Sequence, residues 1–407
     1  MIHSHPEGFY TEPSVVDDDM DTYYSDYFEH FAPGRPYLSL IFARRADAVL
    51  SATGRVWWEQ QWHRVTRFAF EGRDIAVGGY SFKRVLPIEQ KRRVARVASA
   101  FGEEATERLA RATVAVIGAG GTGSPAIEVL ARAGVGHIIT VDPDQFEDSN
   151  LERVHGSGDA DVDAQLPKVL IAHRHIASIN PNCKVTAIRG ALPQPIVVDA
   201  LASADVAIGC TDQEHSRLAL GDHAIRYLVP AIDVGVAFEG KGGLVTGQIV
   251  QLVRFLPRDP CPICQGMIRS WAVAQELMQP EEQVARQEQA ALLADSPDHA
   301  SRYWQDVPIL NTVGYLTTIA GALAAGYAIG WITQRFKPPF SRLQLNLSAD
   351  MLDVTNQHSE RRAMCVCDSI RGTADQGREH EFVSAPAHWR AAELLDDQTN
   401  AAGISPY

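Results

Sequence analysis

The stretch from Val114 to Val154 reads VAVIGAGGTGSPAIEVLARAGVGHIITVDPDQFEDSNLERV. VAVI is a short, apolar, β-branched run of the kind that forms a buried strand. GAGGTG follows, setting Gly118, Gly120 and Gly123 in the G-x-G-x-x-G spacing with Gly121 among them. That spacing lets a backbone approach phosphates at a helix start. Ser124 is a candidate cap for the helix, and Pro125 suits its first turn. HIITV reads as a second buried strand. It ends at Asp142, about 20 residues past the glycines, where a carboxylate can hydrogen-bond a ribose hydroxyl. The unit is a βαβ of nucleotide-binding type. The expected fold class is therefore α/β, a Rossmann-like, mostly parallel sheet with helices on both faces.

The glycine fingerprint alone serves many nucleotide binders and sometimes only packs a helix on a sheet. Its flanks narrow the reading. Asn150 and Arg153 in SNLER, with Lys168 in QLPKV, bring two cations and an amide to where phosphates would lie, a cluster that hydride transfer does not require. DVAIG is a further buried strand, and the CTD beyond it places Asp212 on the ligand side of an open sheet. A carboxylate there is suited to magnesium. Taken singly, Arg153 and Lys168 also read as solvated surface charges and Asp212 as a helix cap. In this order they read as one site.

The ordered set of GAGGTGS, the D-P-D of VDPDQFEDSNLER, Lys168 and CTD resembles the ThiF/MoeB/HesA family. These are bacterial relatives of ubiquitin-activating enzymes that adenylate the C-terminus of a small protein or peptide. The resemblance runs roughly from Leu86 to Cys367. It implies ATP as cosubstrate, with the glycine loop and Asp142 on the nucleotide, Asn150, Arg153 and Lys168 on phosphates, and Asp212 on magnesium. It also implies that Arg96, six residues before Gly102 in ARVASAFG, reaches into the partner subunit's site in a homodimer. Arg96, Arg153, Lys168 and Asp212 would then form the catalytic set. A conjugating enzyme is a further possible partner.

Four of the six cysteines fall as CPIC and CVC. In a cytosolic chain, paired cysteines far apart point to structural zinc before disulfides. The resemblance implies one zinc on Cys261, Cys264, Cys365 and Cys367. The family usually closes this site with two C-x-x-C pairs, so the tighter C-x-C is expected to strain it. Cys183 and Cys210 read as buried packing residues, where a thiol is usually inert. No cysteine lies between Gln265 and Met364. The adenylate is thus expected to pass to an external nucleophile without an enzyme thioester.

The opening MIHSHPEGFYTEPSVVD carries His-x-His-Pro and then Ser-x-x-Asp, which resembles the metal-binding end of JAB/MPN (JAMM) domains. That resemblance implies zinc on His3, His5 and Asp17, with Ser14 in support. Two imidazoles and a carboxylate leave a position for water. Asp18 and Asp19 leave the carboxylate ligand open, and an HSH without metal is the plain alternative. The family's glutamate base comes from an earlier strand, so residues 1–85 are expected to be a degenerate α+β remnant without isopeptidase activity. Short apolar runs between Arg35 and Tyr80 would supply its sheet.

At 407 residues and 45% hydrophobic composition the chain can hold more than one core. We divide it at 1–85, 86–370 and a polar, poorly ordered tail, 371–407. The net charge of −13 argues against a nucleic-acid partner held through phosphates. No basic region followed by an apolar core opens the chain, which suggests a cytoplasmic protein. Val307–Gln334 is uncharged and long enough to span a bilayer. Its Asn, Thr, Gly and Ala content instead suggests a buried core helix and no membrane. Leu86–Ala112 reads as one helix carrying Arg96, and Arg269–Asp306 as a mobile cover over the site. Rival readings are a non-catalytic scaffold for ubiquitin-like partners, an adenylating enzyme for a small molecule or tRNA, and a nicotinamide-dependent oxidoreductase.

Overall fold

The computed structural model describes residues 1–5, 12–44, 50–65, 67–70, 76–80, 86–242, 244–293, 304, 306, 312–348, 353–357 and 359–395. At the N-terminus, β1 (Ile2–Ser4), β2 (Tyr37–Arg44), β3 (Leu50–Trp58) and β4 (Gln61–Arg64) form a sheet in that order, with α1 (Val15–Phe31) between β1 and β2. β1 runs parallel to β2, and the other pairs are antiparallel. A separate hairpin pairs β5 (Arg67–Phe70) with β6 (Ala76–Tyr80). The runs YLSLIFA, VTRFAF and DIAVGGY thus each contribute a strand, although Thr66, Asp74 and Ile75 lie outside the described residues.

The single helix expected over Leu86–Ala112 is instead three: α2 (Ile88–Arg93), α3 (Ala95–Phe101) and α4 (Glu103–Arg111). Two residues break it. Val94 leaves helical geometry with φ −98°, ψ 14°, and Gly102 sits at φ +90°, a region that favours glycine.

The large sheet follows. Its strands are β7 (Thr113–Ile117), β8 (His137–Val141), β9 (Lys184–Arg189), β10 (Val206–Gly209), β11 (Ala231–Lys241), β12 (Leu244–Phe255), β13 (Arg342–Asn346), β14 (Asp353–Gln357) and β15 (Glu393–Leu395). Their order is β14-β13-β12-β11-β10-β7-β8-β9-β15. The central strands β11, β10, β7, β8 and β9 are parallel, and both edges are antiparallel. The connecting helices are α5 (Gly123–Ala133), α6 (Asp159–Asp163), α7 (Lys168–Ile179), α8 (Pro195–Ala202) and α9 (Glu214–Arg226). From β7 the chain winds outward through β8 and β9, then returns to place β10 on the other side of β7. That reversal opens a crevice beyond the carboxyl ends of β7 and β10, the usual ligand position in an open α/β sheet.

After β12 come α10 (Ser270–Glu276), α11 (Pro280–Leu293) and α12 (Gly314–Thr333). Part of the expected cover, 294–303, lies outside the described residues. Helix α12 is long and apolar enough to cross a membrane, yet most of it is buried inside the protein. Leu316, Ala320, Ala324 and Ala328 recur every four residues and enter the core shared by β7, β10, β11 and α5. Small side chains let it approach closely: a Cβ on Gly321 would meet the Thr122 carbonyl at 2.2 Å. The helix's apolar composition is therefore that of a core element packed on the glycine turn.

The expectation of a poorly ordered tail from Arg371 does not hold up to Leu395. A 3-10 turn spans Ala374–His380, and β15 pairs antiparallel with β9. The physical reason is an unfilled sheet edge: Leu394 and Leu395 supply a short strand to the open side of β9. Residues 396–407 lie outside the described ones.

Candidate active site

The crevice holds a cleft of about 340 Å³. Gly118, Gly120 and Gly121 line it, with Asp142, Asn150, Arg153, Lys168 and Asp212. Gly118 adopts φ +93°, and a Cβ there would lie 2.7 Å from the Cys210 carbonyl. At Gly120 a Cβ would meet nothing within 4 Å, so the open space sits above the turn where a phosphate would rest. Gly123 does not line the cleft. Its Cβ would overlap the Gly118 carbonyl at 1.7 Å, so its role is close packing of helix on strand. Ser124 is not the helix cap: Thr122 occupies that position, and Ser124 Oγ accepts from the His155 N–H at 3.0 Å. A side chain inside the first turn is drawn to this crossing loop.

Asp142 is buried, with one carboxylate oxygen accepting from the Ala119 N–H at 2.7 Å and the other from Asp144 N–H at 2.9 Å. It thus fastens the glycine loop as well as facing the cleft. Burial pushes its carboxyl up to about 6, against the pull of Lys168. Lys168 begins α7, and its Nζ donates to Asp144 Oδ2 at 2.7 Å. Burial lowers the ammonium's pKa, but Asp142 and Asp144 outweigh it and hold it above the usual value. Arg153 reaches Glu152 at 3.2 Å, and Asn150 accepts from the Glu147 N–H at 3.4 Å.

On the opposite wall, Asp212 is exposed to the cleft, and its carboxylate has no ion pair among the described residues. Arg217, one turn into α9, joins it. Its Nε stands 3.3 Å from Asp233 Oδ2, and Nη2 donates to the Thr211 carbonyl at 3.3 Å. Asp233 is buried, its Oδ1 has no hydrogen-bond partner among the described residues, and burial pushes its carboxyl up to about 6. Sequence reasoning missed Asp144 and Arg217 as site residues, and Asp233 as the buried acid behind Arg217. The signals were present: the second aspartate of D-P-D, a cation five residues past Asp212, and a lone acid inside the apolar run AIDVGV.

Arg96 does not line this cleft and lies exposed on α3. Cys183 and Cys210 are half-buried rather than fully buried, and Cys210 lines the cleft. Burial nonetheless pushes Cys183 up to about 12 and Cys210 higher still, so both thiols stay protonated.

Two clusters of metal-ligand type lie away from the cleft. The Sγ atoms of Cys261 and Cys365 are 3.7 Å apart and those of Cys264 and Cys367 4.0 Å, with all four within 4.8 Å of one another. Four thiolates at about 2.3 Å from a tetrahedral zinc would stand about 3.8 Å apart. The C-x-C spacing does not prevent that geometry. At the N-terminus, His3 Nε2 lies 2.9 Å from Asp17 Oδ1 and His5 Nε2 3.2 Å from Oδ2. Strand alternation brings the two histidines to one face. Ser14 Oγ donates to Asp17 Oδ2 at 2.7 Å, so Asp17 is the acid that faces the histidines.

A phosphate-sized opening over a glycine turn, flanked by a lysine and an arginine and faced by a free carboxylate, defines a nucleotide-binding α/β protein. The chain belongs to the ThiF family, which it matches over residues 92–367. It is 32% identical over 165 residues to the SAMP-activating enzyme E1 of Haloferax volcanii, covering 40% of this chain and 56% of that protein. It is 33% identical over 136 residues to the sulfur carrier protein ThiS adenylyltransferase of Escherichia coli, covering 33% and 53%. The chain thus spans about half the length of these curated relatives. Among solved structures, E. coli MccB with MccA-N7isoASN superposes with a TM-score of 0.52 at 20% identity, over 69% of this chain and 77% of that one. That likeness is one of fold.

Proposed function

We propose that this chain uses ATP to adenylate the C-terminal carboxylate of a ubiquitin-like or sulfur-carrier protein, or of a peptide. One observation carries the reading: Lys168, Arg153 and Asp212 line one cleft together with the glycine turn. A carboxylate oxygen of the substrate attacks the α-phosphorus, the bond to the bridging oxygen breaks, and pyrophosphate leaves. Such transfer demands positioning and charge neutralisation more than covalent help. Gly120 leaves room for the phosphates, Asp142 faces the ribose, Asn150 lines the phosphate side, and Lys168 exchanges Asp144 for a phosphate oxygen. Asp212, a free carboxylate, suits magnesium, which when bound would neutralise phosphate charge. We read Arg96 as acting across a homodimer interface, and the protein as cytoplasmic, with a conjugating enzyme as one acceptor of the activated carboxylate.

The cysteine quartet fits a structural zinc, and the His3–His5–Asp17 cluster fits a second zinc in a JAB/MPN-like unit spanning 1–85. The adenylating unit would then span 86–370 and the tail 371–407. The test of the central reading is ATP–pyrophosphate exchange on adding a small carrier protein with a Gly-Gly terminus or a short peptide. Exchange dependent on a free C-terminal carboxylate is expected, and a C-terminally amidated substrate should give none. For the metals, elemental analysis should find one zinc retained by the His3→Ala/His5→Ala protein, and its removal should lower Tm.

A further inference from the structure

Arg153 stands in a stretch without helix or strand, between the 3-10 turn at Asp148–Asn150 and α6. Its long side chain therefore takes its place from whatever holds that loop. The stem lies over the glycine turn: a Cβ on Gly121 would meet Arg153 Cδ at 2.7 Å and Thr317 Oγ1 at 3.2 Å. Both flanks of the arginine are tied to the first turns of α12. On one side Glu152 pairs with Arg153 through Oε1, while its Oε2 accepts the Gly314 N–H at 3.0 Å. On the other side, two residues past the arginine, comes His155.

His155 joins two helices to the loop. Its backbone N–H donates to Ser124 Oγ, and its Nδ1 lies 2.9 Å from Glu128 Oε2, both on α5. Its Nε2 lies 3.1 Å from Thr318 Oγ1 on α12. From α7, His175 Nε2 reaches the same Glu128 oxygen at 3.2 Å, and Arg132 Nε donates to the other at 2.8 Å. Burial would raise the Glu128 pKa, but His155, Arg132 and His175 together bring it down to about 2. An ionised carboxylate only accepts, so His155 Nδ1 is the donor. The Thr318 side holds in either protonation state of the ring, because a hydroxyl can give or take the hydrogen bond.

Neither His155 nor Glu128 lines the cleft. What they fix is the backbone beside Arg153, which does line it. We infer that His155 is a positioning residue: by clamping the loop between α5 and α12, it aims the Arg153 guanidinium at a phosphate of the bound nucleotide. This rests on the nucleotide reading above and adds to it a group that never touches the nucleotide. A misplacement of about 1 Å, made far from the chemistry, can cost about 100-fold, so a loop with no ladder of its own gains from such a clamp.

The test is calorimetric titration of ATP, with magnesium and no second substrate, into the full chain and the members of a double-mutant cycle. Arg153→Ala should weaken ATP by about tenfold or more, as expected when a hydrogen bond to a charged group is lost. His155→Ala should weaken it by about fivefold or more in the wild-type chain and by about twofold or less beside Arg153→Ala, because residues that act through one another do not add. A substitution that merely loosened the protein would cost the same factor in both backgrounds. Thr318→Val breaks only the α12 side; it should cost about two- to threefold with the same dependence on Arg153, and it carries the test if His155→Ala does not fold. Wild-type affinity in folded His155→Ala, or an equal loss in both backgrounds, overturns the positioning role, while the loss in Arg153→Ala still supports the nucleotide cleft. Wild type that does not bind ATP, or Arg153→Ala that binds it as wild type does, overturns both.

Discussion

The two walls of the cleft hold their charges in different ways. On the β7–β8 side each charge already has a partner: Lys168 meets Asp144, Arg153 meets Glu152, and both oxygens of Asp142 accept backbone N–H groups. On the β10–β11 side, among the described residues, the carboxylate of Asp212 has no ion pair and Oδ1 of Asp233 no hydrogen-bond partner in the interior. The first wall receives an anion by exchanging one acidic partner for another, which keeps its cations oriented while it is empty. The second leaves the exposed Asp212 carboxylate without a partner among the described residues, which suits an incoming cation.

Three substitutions separate these roles. Lys168→Ala and Asp212→Ala should each cut pyrophosphate exchange by about 100- to 1,000-fold, the usual loss when one group that stabilises developing charge is removed. They should differ in one respect. Raising magnesium should recover part of the Asp212→Ala loss and none of the Lys168→Ala loss, and identical magnesium curves would erase the proposed distinction between the walls. Asp144→Asn should be far milder, tightening ATP binding by a few-fold because Lys168 no longer has to release an internal carboxylate. Weaker binding in a titration of that variant would show that Asp144 positions the lysine rather than competing for it.

The smallest expected effect concerns Asp233. Its folded pKa of about 6 lies above the ordinary value of 3.8. The protonated form therefore contributes stability that is fully present below about pH 4 and lost as pH rises through about 6. Asp233→Asn should gain Tm relative to wild type as pH goes from 4 to 7. Parallel melting profiles across that range would mean that Arg217 fully compensates the buried charge.

What could be read from the sequence was whatever the chain keeps local. The glycine turn, Asp142 and Lys168 belong to one βαβ unit and its approach, where spacing along the chain translates directly into spacing in the crevice. Asp212 was legible because an apolar strand points its carboxyl end at the ligand side. The partnerships were not, since Asp144 with Lys168 and Arg217 with Asp233 depend on how separate loops meet. The break of the Leu86–Ala112 helix at Gly102 was carried by one glycine within an otherwise helical pattern. Trp389 and Arg390 were hidden for another reason: they lie in the tail, and the pairing of β15 with β9 together with the Gln194–Arg390 hydrogen bond seats them in a pocket beside the cleft.

That three-residue pairing has a consequence for how molecules of this protein meet each other. Without β15, the outer side of β9 would present a row of unsatisfied N–H and C=O groups, a ready template on which another chain could add its own strand. Glu393, Leu394 and Leu395 engage Arg189, Ile188 and Ala187 and take up that template. So short a strand adds little cohesion, but it works as a guard on the sheet's flank, and a chain cut at Arg371 would lose its guard along with Trp389.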